Sequence, residues 1–450
     1  MYEEFLPVNR RDMEERGWDA PDFVFVTGDA YVDHPTFGAA ILSRLLEAEG
    51  YRVAVLAQPD WRSAEAFRAF GEPRLGFLVT SGNIDSMVAH YSAAKRRRDY
   101  DYYSPGGKIG KRPDRAAIVY CRRIREAYPD APIVLGGLEA SLRRLGHYDY
   151  WDGAVRRGIL LDAEADLVIY GMGETALLRI AELLARGVPV RRIRDVRGTV
   201  YAAAPGEKVH YPVAETFDFA RMCADKRYFA ACYAAQYRNT DAVTGRALVE
   251  DYGDRVLVLN PPQPPLERRA LDRVAELPYT RRAHPMYDRL GGVPAVAEVA
   301  FSITHNRGCF GACNFCALAF HQGRALRSRS IESVVREAKL LTQLPGFKGY
   351  INDVGGPTAD FREPSCKKQL TEGVCAGRKC LTPKPCPNLR ADHSDYLRLL
   401  KAVESVPGVK KVFIRSGVRF DYVLADRDDS FLKKLIRDHV SGQLRVAPEH

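Results

Sequence analysis

The chain has 450 residues, 46% of them hydrophobic and 28% charged, with a formal net charge of +10. That length exceeds one typical core and the composition is that of ordinary folded proteins, so two or three domains are expected. No apolar run is long enough to cross a bilayer, and Met1-Tyr2-Glu3-Glu4-Phe5 lacks the regions of a secretion signal; a cytoplasmic protein with no membrane partner is expected.

After a polar lead-in, a regular alternation starts at Phe23. Phe23–Thr27, Val53–Ala57, Leu75–Val79, Ile133–Leu135 and Leu167–Tyr170 read as strands, with helices at Ala39–Ala48 and around 62–70, 115–127 and 173–186. Short all-apolar strands between helices indicate a parallel sheet covered on both faces, so residues 1–195 are read as a doubly wound α/β domain. Its candidate ligand loops are Gly28-Asp29, Ser81-Gly82-Asn83, Gly136-Gly137-Leu138-Glu139 and Gly171-Met172-Gly173-Glu174, which also suit tight strand-to-helix turns. Lys95-Arg96-Arg97-Arg98-Asp99-Tyr100-Asp101-Tyr102-Tyr103 interleaves basic and aromatic side chains, a pattern for a nucleic-acid partner or simply a solvated helix end. Ser104-Pro105-Gly106-Gly107-Lys108 reads as a flexible turn able to act as a lid. Periodicity weakens over 196–295, read as a connector with a helix at Glu215–Arg238 and a stiff Pro261–Pro265 segment.

A second α/β pattern occupies 296–450. Strands are expected at Val299–Thr304, Gly349–Asp353, Lys411–Arg415 and Gln443–Ala447, with helices at Ile331–Gln343, Ser394–Ser405 and Ser430–His439. Such β/α repeats suggest a parallel barrel whose chemistry lies on loops at the strand C-termini. Seven of the ten cysteines fall between Cys309 and Cys386, clustering that argues for metal rather than disulfides. Cys309, Cys313 and Cys316, spaced C-x3-C-x2-C, leave the first strand. Three thiolates can hold a [4Fe–4S] cluster and leave one iron open to a ligand; a zinc site completed by His305 or His321 is the rival. Arg307, Arg324, Arg327 and Arg329 flank the loop and would offset a cluster's negative charge. Cys366, Cys375, Cys380 and Cys386 lie in a Cys-rich insertion, 361–392, too poor in apolar residues to fold alone. They suit a structural zinc or a second iron–sulfur cluster equally.

The cysteine triplet with an aromatic before its last member, together with Gly355-Gly356-Pro357-Thr358 and Ala447-Pro448-Glu449-His450, resembles the radical S-adenosylmethionine (SAM) superfamily and, within it, the YgiQ family. The resemblance implies a [4Fe–4S] cluster on the triplet and SAM on the open iron. Reductive cleavage of SAM would give a 5′-deoxyadenosyl radical that attacks an unknown substrate. It further implies an electron donor such as flavodoxin or ferredoxin, and an N-terminal domain over the barrel mouth. The superfamily's Gly-Gly-Glu is matched only in Gly355 and Gly356, so their backbone is expected at the SAM amine, with Asp353 nearby. Arg415-Ser416-Gly417-Val418-Arg419 presents two guanidinium groups to the same rim: Arg415 is expected to bind the SAM carboxylate, Ser416 the ribose, and Glu449 is a further polar candidate. Such barrels have six strands, so about two are expected beyond the sequence, and an open barrel would leave the protein poorly soluble. The first domain resembles cobalamin-binding domains, yet Asp33-His34-Pro35-Thr36-Phe37-Gly38 does not match the D-x-H-x-x-G that supplies a cobalt ligand, which argues against cobalamin and for a structural His34. The reading from a different class is a non-catalytic, metal-stapled nucleic-acid-binding protein.

Overall fold

The structure, a computed structural model, describes residues 4–444 and 446. It divides into two compact units: Met1–Thr240 with Gly245–Gln263 and Leu277–Val296, and Asp241–Thr244 with Pro264–Glu276 and Ala297–His450. No described helix is long and apolar enough to cross a membrane.

In the first unit, among the described residues, nine strands form one sheet: β1 (Phe23–Thr27), β2 (Val53–Ala57), β3 (Gly76–Thr80), β4 (Ile133–Leu135), β5 (Leu167–Ile169), β6 (Thr199–Ala203), β7 (Val213–Asp218), β8 (Ala247–Asp251) and β9 (Val256–Leu259). Their order is β2-β1-β3-β4-β5-β6-β9-β8-β7. Strands β1 to β5 run parallel. Every residue of β1 is buried, because helices cover both faces. Val24 and Val26 meet the helix α2 (Ala116–Ala127) side through Tyr120 and Ile124. Phe23 and Phe25 meet Leu46 of α1 (Gly38–Ala48) and Leu177 and Ile180 of α3 (Glu174–Ala185). Each such buried side chain contributes about 1.5–3 kcal/mol. The run around 62–70 makes only a 3₁₀ turn, Glu65–Arg68.

Residues 196–263 depart from the expected connector. Strand β6 adds antiparallel to β5, and β9 antiparallel to β6, extending the first sheet. Strands β8 and β9 form an antiparallel pair, and β7 lies parallel to β8 at the edge. The expected helix at Glu215–Arg238 begins as β7 and becomes two helices, Phe219–Ala224 and Lys226–Arg238. The Val256–Leu259 run carries the same all-apolar signature as β1 and is wholly buried.

The order β2-β1-β3-β4-β5 makes a topological switch point at the C-terminal ends of β1 and β3, where open α/β sheets bind ligands. Here the chain fills that place itself. Arg112, with a fully buried side chain, donates to Asp29 at 3.0 Å, to the Ser81 carbonyl at 2.9 Å and to Asp101 at 2.9 Å. The Asn83 N–H donates to Asp29 at 2.7 Å. Ser104–Lys108 is packed rather than loose: Gln58 donates to the Ser104 hydroxyl at 2.7 Å, and the Gly106 N–H donates to the Gly292 carbonyl at 2.8 Å. Arg96, Arg97 and Arg98 are exposed.

The second unit carries the parallel β/α pattern of a partial barrel. Its strands are β10 (Ser302–Thr304), β11 (Asn306–Arg307), β12 (Arg327–Ser328), β13 (Tyr350–Ile351), β14 (Asp353–Gly355) and β15 (Lys411–Val412). β10 pairs in parallel with β14, and β13 with β15; β11 and β12 form an antiparallel hairpin. Val418 bridges Val446 in parallel. The helices α4 (Ile331–Thr342) and α5 (Ser394–Glu404) cover Ile303, Ile351, Val354 and Val412 with Val334, Leu341, Leu399 and Val403. The first strand is shorter than expected because Ala295–Val299 is helical. Glu449 lies outside the described residues, as do Arg445 and Ala447 of the expected Gln443–Ala447 strand.

Candidate functional site

The loop after β11 owes its path to Gly308, whose left-handed φ of 79° and contact with the Ala325 carbonyl leave no room for a Cβ. Gly308 N–H donates to the Gln322 side chain at 3.1 Å, and Cys309 N–H to the Gly323 carbonyl at 3.2 Å. Phe310 pins the loop from within: fully buried, it stacks on Phe361 at 3.7 Å and meets Tyr422 edge-on. The Cys316 N–H donates to the Cys313 carbonyl at 3.1 Å, and Cys316 then opens the helix Ala317–His321. All three cysteines of the triplet are half-buried. Cys309 approaches the Thr358 hydroxyl at 3.2 Å. Burial pushes the Cys309 thiol up, and the hydrogen bonds of Thr358 and the Gly311 backbone oppose it, as does the Arg419 charge.

Arg419 brings a buried cation to this loop. Its side chain is almost fully buried, and Nη1 donates to Cys313 Sγ at 3.2 Å while Nε donates to Asp421 at 2.8 Å. Burial alone would lower this guanidinium; Asp421, then Cys313 and Cys309, reverse the effect and raise it. The Arg419 backbone N–H donates to Asp360 at 2.9 Å. Asp360 in turn faces His393 at 3.4 Å, whose other ring nitrogen meets Asp426 at 2.7 Å. Burial would lower His393, but the two carboxylates raise it, favouring an imidazolium between them.

The residues expected at SAM gather only in part. Asp353 accepts from the backbone N–H of Arg415 at 2.8 Å and of Ser416 at 3.1 Å, and from the Ser416 hydroxyl. A Cβ on Gly355 would run into Ser416 and Asp353, and one on Gly356 into Asn306. Both glycines are therefore required by close packing at the end of β14. Asn306 donates to the Thr358 carbonyl at 3.0 Å and also to that of Phe361. The Arg415 residue is exposed and its backbone, not its guanidinium, is held by Asp353. The arginine on the cysteine loop is the other one of the Arg-Ser-Gly-Val-Arg segment.

His305 is committed elsewhere. It is fully buried, with Nε2 2.9 Å from the Ala359 carbonyl and Nδ1 3.5 Å from Arg362 Nη1. Burial, then Arg362, holds its pKa well below the usual range. Arg329 is likewise structural, donating to Glu337, to Ser333 and to the Thr304 carbonyl at 3.1 Å. Arg324 donates to the carbonyls of Cys375 at 2.9 Å and Arg378 at 3.0 Å, inside the Cys-rich insertion. Among the described residues, no three His, Cys, Asp or Glu side chains converge on one ion position. Three half-buried thiols on one short loop, with a buried guanidinium at Cys313, are a donor set that suits anionic thiolate ligands. In the first unit, His34 is fully buried with its Nδ1 2.8 Å from the Thr36 hydroxyl, and Arg112 and its partners occupy the sheet end.

The family model described as radical SAM N-terminal matches residues 5–302. A UPF0313 protein of Clostridium botulinum is 52% identical over 450 residues, covering 99% of this chain and 70% of that protein. One from Clostridium perfringens is 53% identical over 446 residues, with 99% and 67% covered. Among solved structures, the radical SAM methyltransferase TsrM from Kitasatospora setae matches at 17% identity and a TM-score of 0.39 over 73% of this chain and 46% of that one. The cobalamin-dependent SAM radical enzyme OxsB matches at 12% identity and a TM-score of 0.43, over 91% and 45%. The chain spans less than half the length of either structure, and likeness at this level does not bear on the site. Identity above one half, sustained along almost the entire chain, places it in the UPF0313 family of radical SAM proteins.

Proposed function

We propose that this protein is a SAM-cleaving iron–sulfur enzyme. Cys309, Cys313 and Cys316 would hold a [4Fe–4S] cluster, with the backbone of Gly355 and Gly356 and the Ser416 hydroxyl beside SAM. When bound, that cluster supplies one electron to the sulfonium and so releases a 5′-deoxyadenosyl radical for hydrogen abstraction from substrate. The observation that carries the reading is the buried Arg419 guanidinium donating to Cys313 at 3.2 Å on a loop with three half-buried thiols. A buried cation at a thiol has a purpose when the sulfur is an anionic ligand, because burial otherwise favours the neutral thiol. Asp421 holds the guanidinium in place, Phe310 holds the loop, and Asp353 fixes the turn that carries Ser416.

The test is direct. Protein reconstituted anaerobically with iron and sulfide is reduced in the presence of SAM, and 5′-deoxyadenosine is quantified. Wild type should form it and Cys313→Ala should not. Equal amounts from both, or none from a wild type that carries its cluster, would overturn the reading.

A further inference from the structure

We propose that the exposed surface of the first unit carrying Arg96, Arg97, Tyr148 and Tyr150 binds single-stranded nucleic acid.

Two short hairpins build this surface. In the first, Tyr91 pairs antiparallel with Arg97, the Ser92 N–H donates to the Arg96 carbonyl at 2.8 Å, and the Lys95 N–H donates to the Ser92 carbonyl at 2.9 Å. Lys95 closes the turn with a left-handed φ of 57°. The Arg98 N–H donates to the His90 carbonyl at 2.7 Å, so the basic run lies on a fixed backbone beyond the helix Ser86–His90 and is not its solvated end. The second hairpin joins His147–Asp149 to Ala154–Arg156. The two are tied together: Lys95 Nζ donates to the Trp151 carbonyl at 3.2 Å, and the Tyr150 hydroxyl donates to the Ala93 carbonyl at 2.6 Å.

Rings and cations alternate across the joined hairpins. Tyr91 and Trp151 lie 5.3 Å apart, as do Trp151 and Tyr150, and Lys95 Nζ sits 4.8 Å over the Tyr150 ring. Tyr148 and Tyr150 are 54% and 51% exposed, which leaves about half of each side chain open to a partner. The carboxylates of this region are already engaged. Asp114 meets His90 Nδ1 at 2.6 Å and accepts from the Tyr91 hydroxyl at 2.8 Å. Asp149 and Asp152 accept from Arg115 at 3.1 and 2.7 Å, and Asp152 also accepts from Arg156 at 2.8 Å. Lys95–Asp99 therefore presents four cations against one carboxylate, and among the described residues Arg96 and Arg97 enter no ion pair. Arg98 Nε is held by the Val88 and Tyr91 carbonyls at 3.2 and 3.3 Å, which leaves its two Nη groups for another acceptor.

The mixture of groups selects the partner. Guanidinium groups alone suit any polyanion, and a duplex offers its phosphates while its bases remain stacked inside. Exposed tyrosine rings gain contact from a flat, unstacked partner, and a single strand brings such bases together with phosphates. An acidic polypeptide matches the charge and lacks the flat faces.

The inference does not rest on SAM cleavage and is tested without cluster or SAM. The full chain is titrated into fluorescein-labelled RNA and DNA strands of about 12 nucleotides, the matching duplexes and polyglutamate, with anisotropy as the readout. Single strands should bind several-fold more tightly than duplexes or polyglutamate. Three phosphate contacts give a logarithmic salt slope of about −2, a loss of about twentyfold between about 50 and 200 mM salt. Arg96→Gln/Arg97→Gln, which alters only exposed side chains, should make the slope shallower by about 1.4. Tyr148→Ala should weaken single-strand binding about fivefold or more and leave the slope unchanged. Circular dichroism verifies folding, and the arginine variant decides the matter should Tyr148→Ala unfold. A preference for RNA or for DNA identifies which strand is the partner, and either supports the proposal. No binding of single strands, equal binding of duplex or polyglutamate, or an unaltered slope in Arg96→Gln/Arg97→Gln would overturn it.

Discussion

Replacing Arg419 by methionine removes a buried positive charge from the cysteine loop while keeping most of the side-chain volume. Nη1 lies 3.2 Å from Cys313 Sγ, so the charge would sit about 6 Å from the centre of a bound cluster. At an effective dielectric of about 20, one unit charge at that distance is worth about 3 kcal/mol, and about half that remains where water reaches Asp421. For a one-electron couple about 1.4 kcal/mol corresponds to about 59 mV, so Arg419→Met should lower the cluster's reduction potential by about 60–120 mV. The sign is firm, since the electron added on reduction loses a favourable partner and Asp421 is left uncompensated. Asp421→Asn acts oppositely: it frees the guanidinium from its counter-charge and should raise the potential, by less, because the Asp421 side chain is 24% exposed. Anaerobic redox titration followed by electron paramagnetic resonance measures both. An unchanged or raised potential in Arg419→Met would refute the assignment of this arginine to the cluster loop.

Two further outcomes concern the first unit. Arg112→Met leaves Asp29 and Asp101, both buried, without their shared cation, and stability should fall by about 3–5 kcal/mol in urea denaturation; a loss below about 1 kcal/mol would show that the triad is dispensable. Burial pushes the Glu250 carboxyl up to about 7 from an ordinary 4.5, while the Gly146 N–H donates to both its oxygens at 2.8 Å. A carboxyl raised on folding binds its proton more tightly in the native state, so its contribution is fully present below about pH 4.5 and lost as the pH rises to about 7, at most about 3 kcal/mol in all. Glu250→Gln should flatten that part of the stability profile, measured by denaturation across this range, and an identical slope in both proteins would exclude Glu250 as its source.

What could be read directly from the sequence was whatever is recorded within a few residues. The all-apolar runs Phe23–Thr27 and Leu167–Ile169 announce strands buried on both faces, and the C-x3-C-x2-C spacing places three thiols on one short loop, because both signals are local. Val256–Leu259 carried the same signal, but whether such a run joins a sheet depends on a partner far along the chain, here Thr199–Ala203. The choice between Arg415 and Arg419 was also beyond local pattern. Both sit in one five-residue segment, and only the turn held by Asp353 and Asp360 aims the second at Cys313 and leaves the first exposed. The same holds for His305, whose identity suggests a ligand and whose full burial against Ala359 and Arg362 makes it a structural strut. Periodicity and spacing are properties of the chain, whereas strand partners, side-chain direction and the pairing of buried charges exist only once distant segments have packed together.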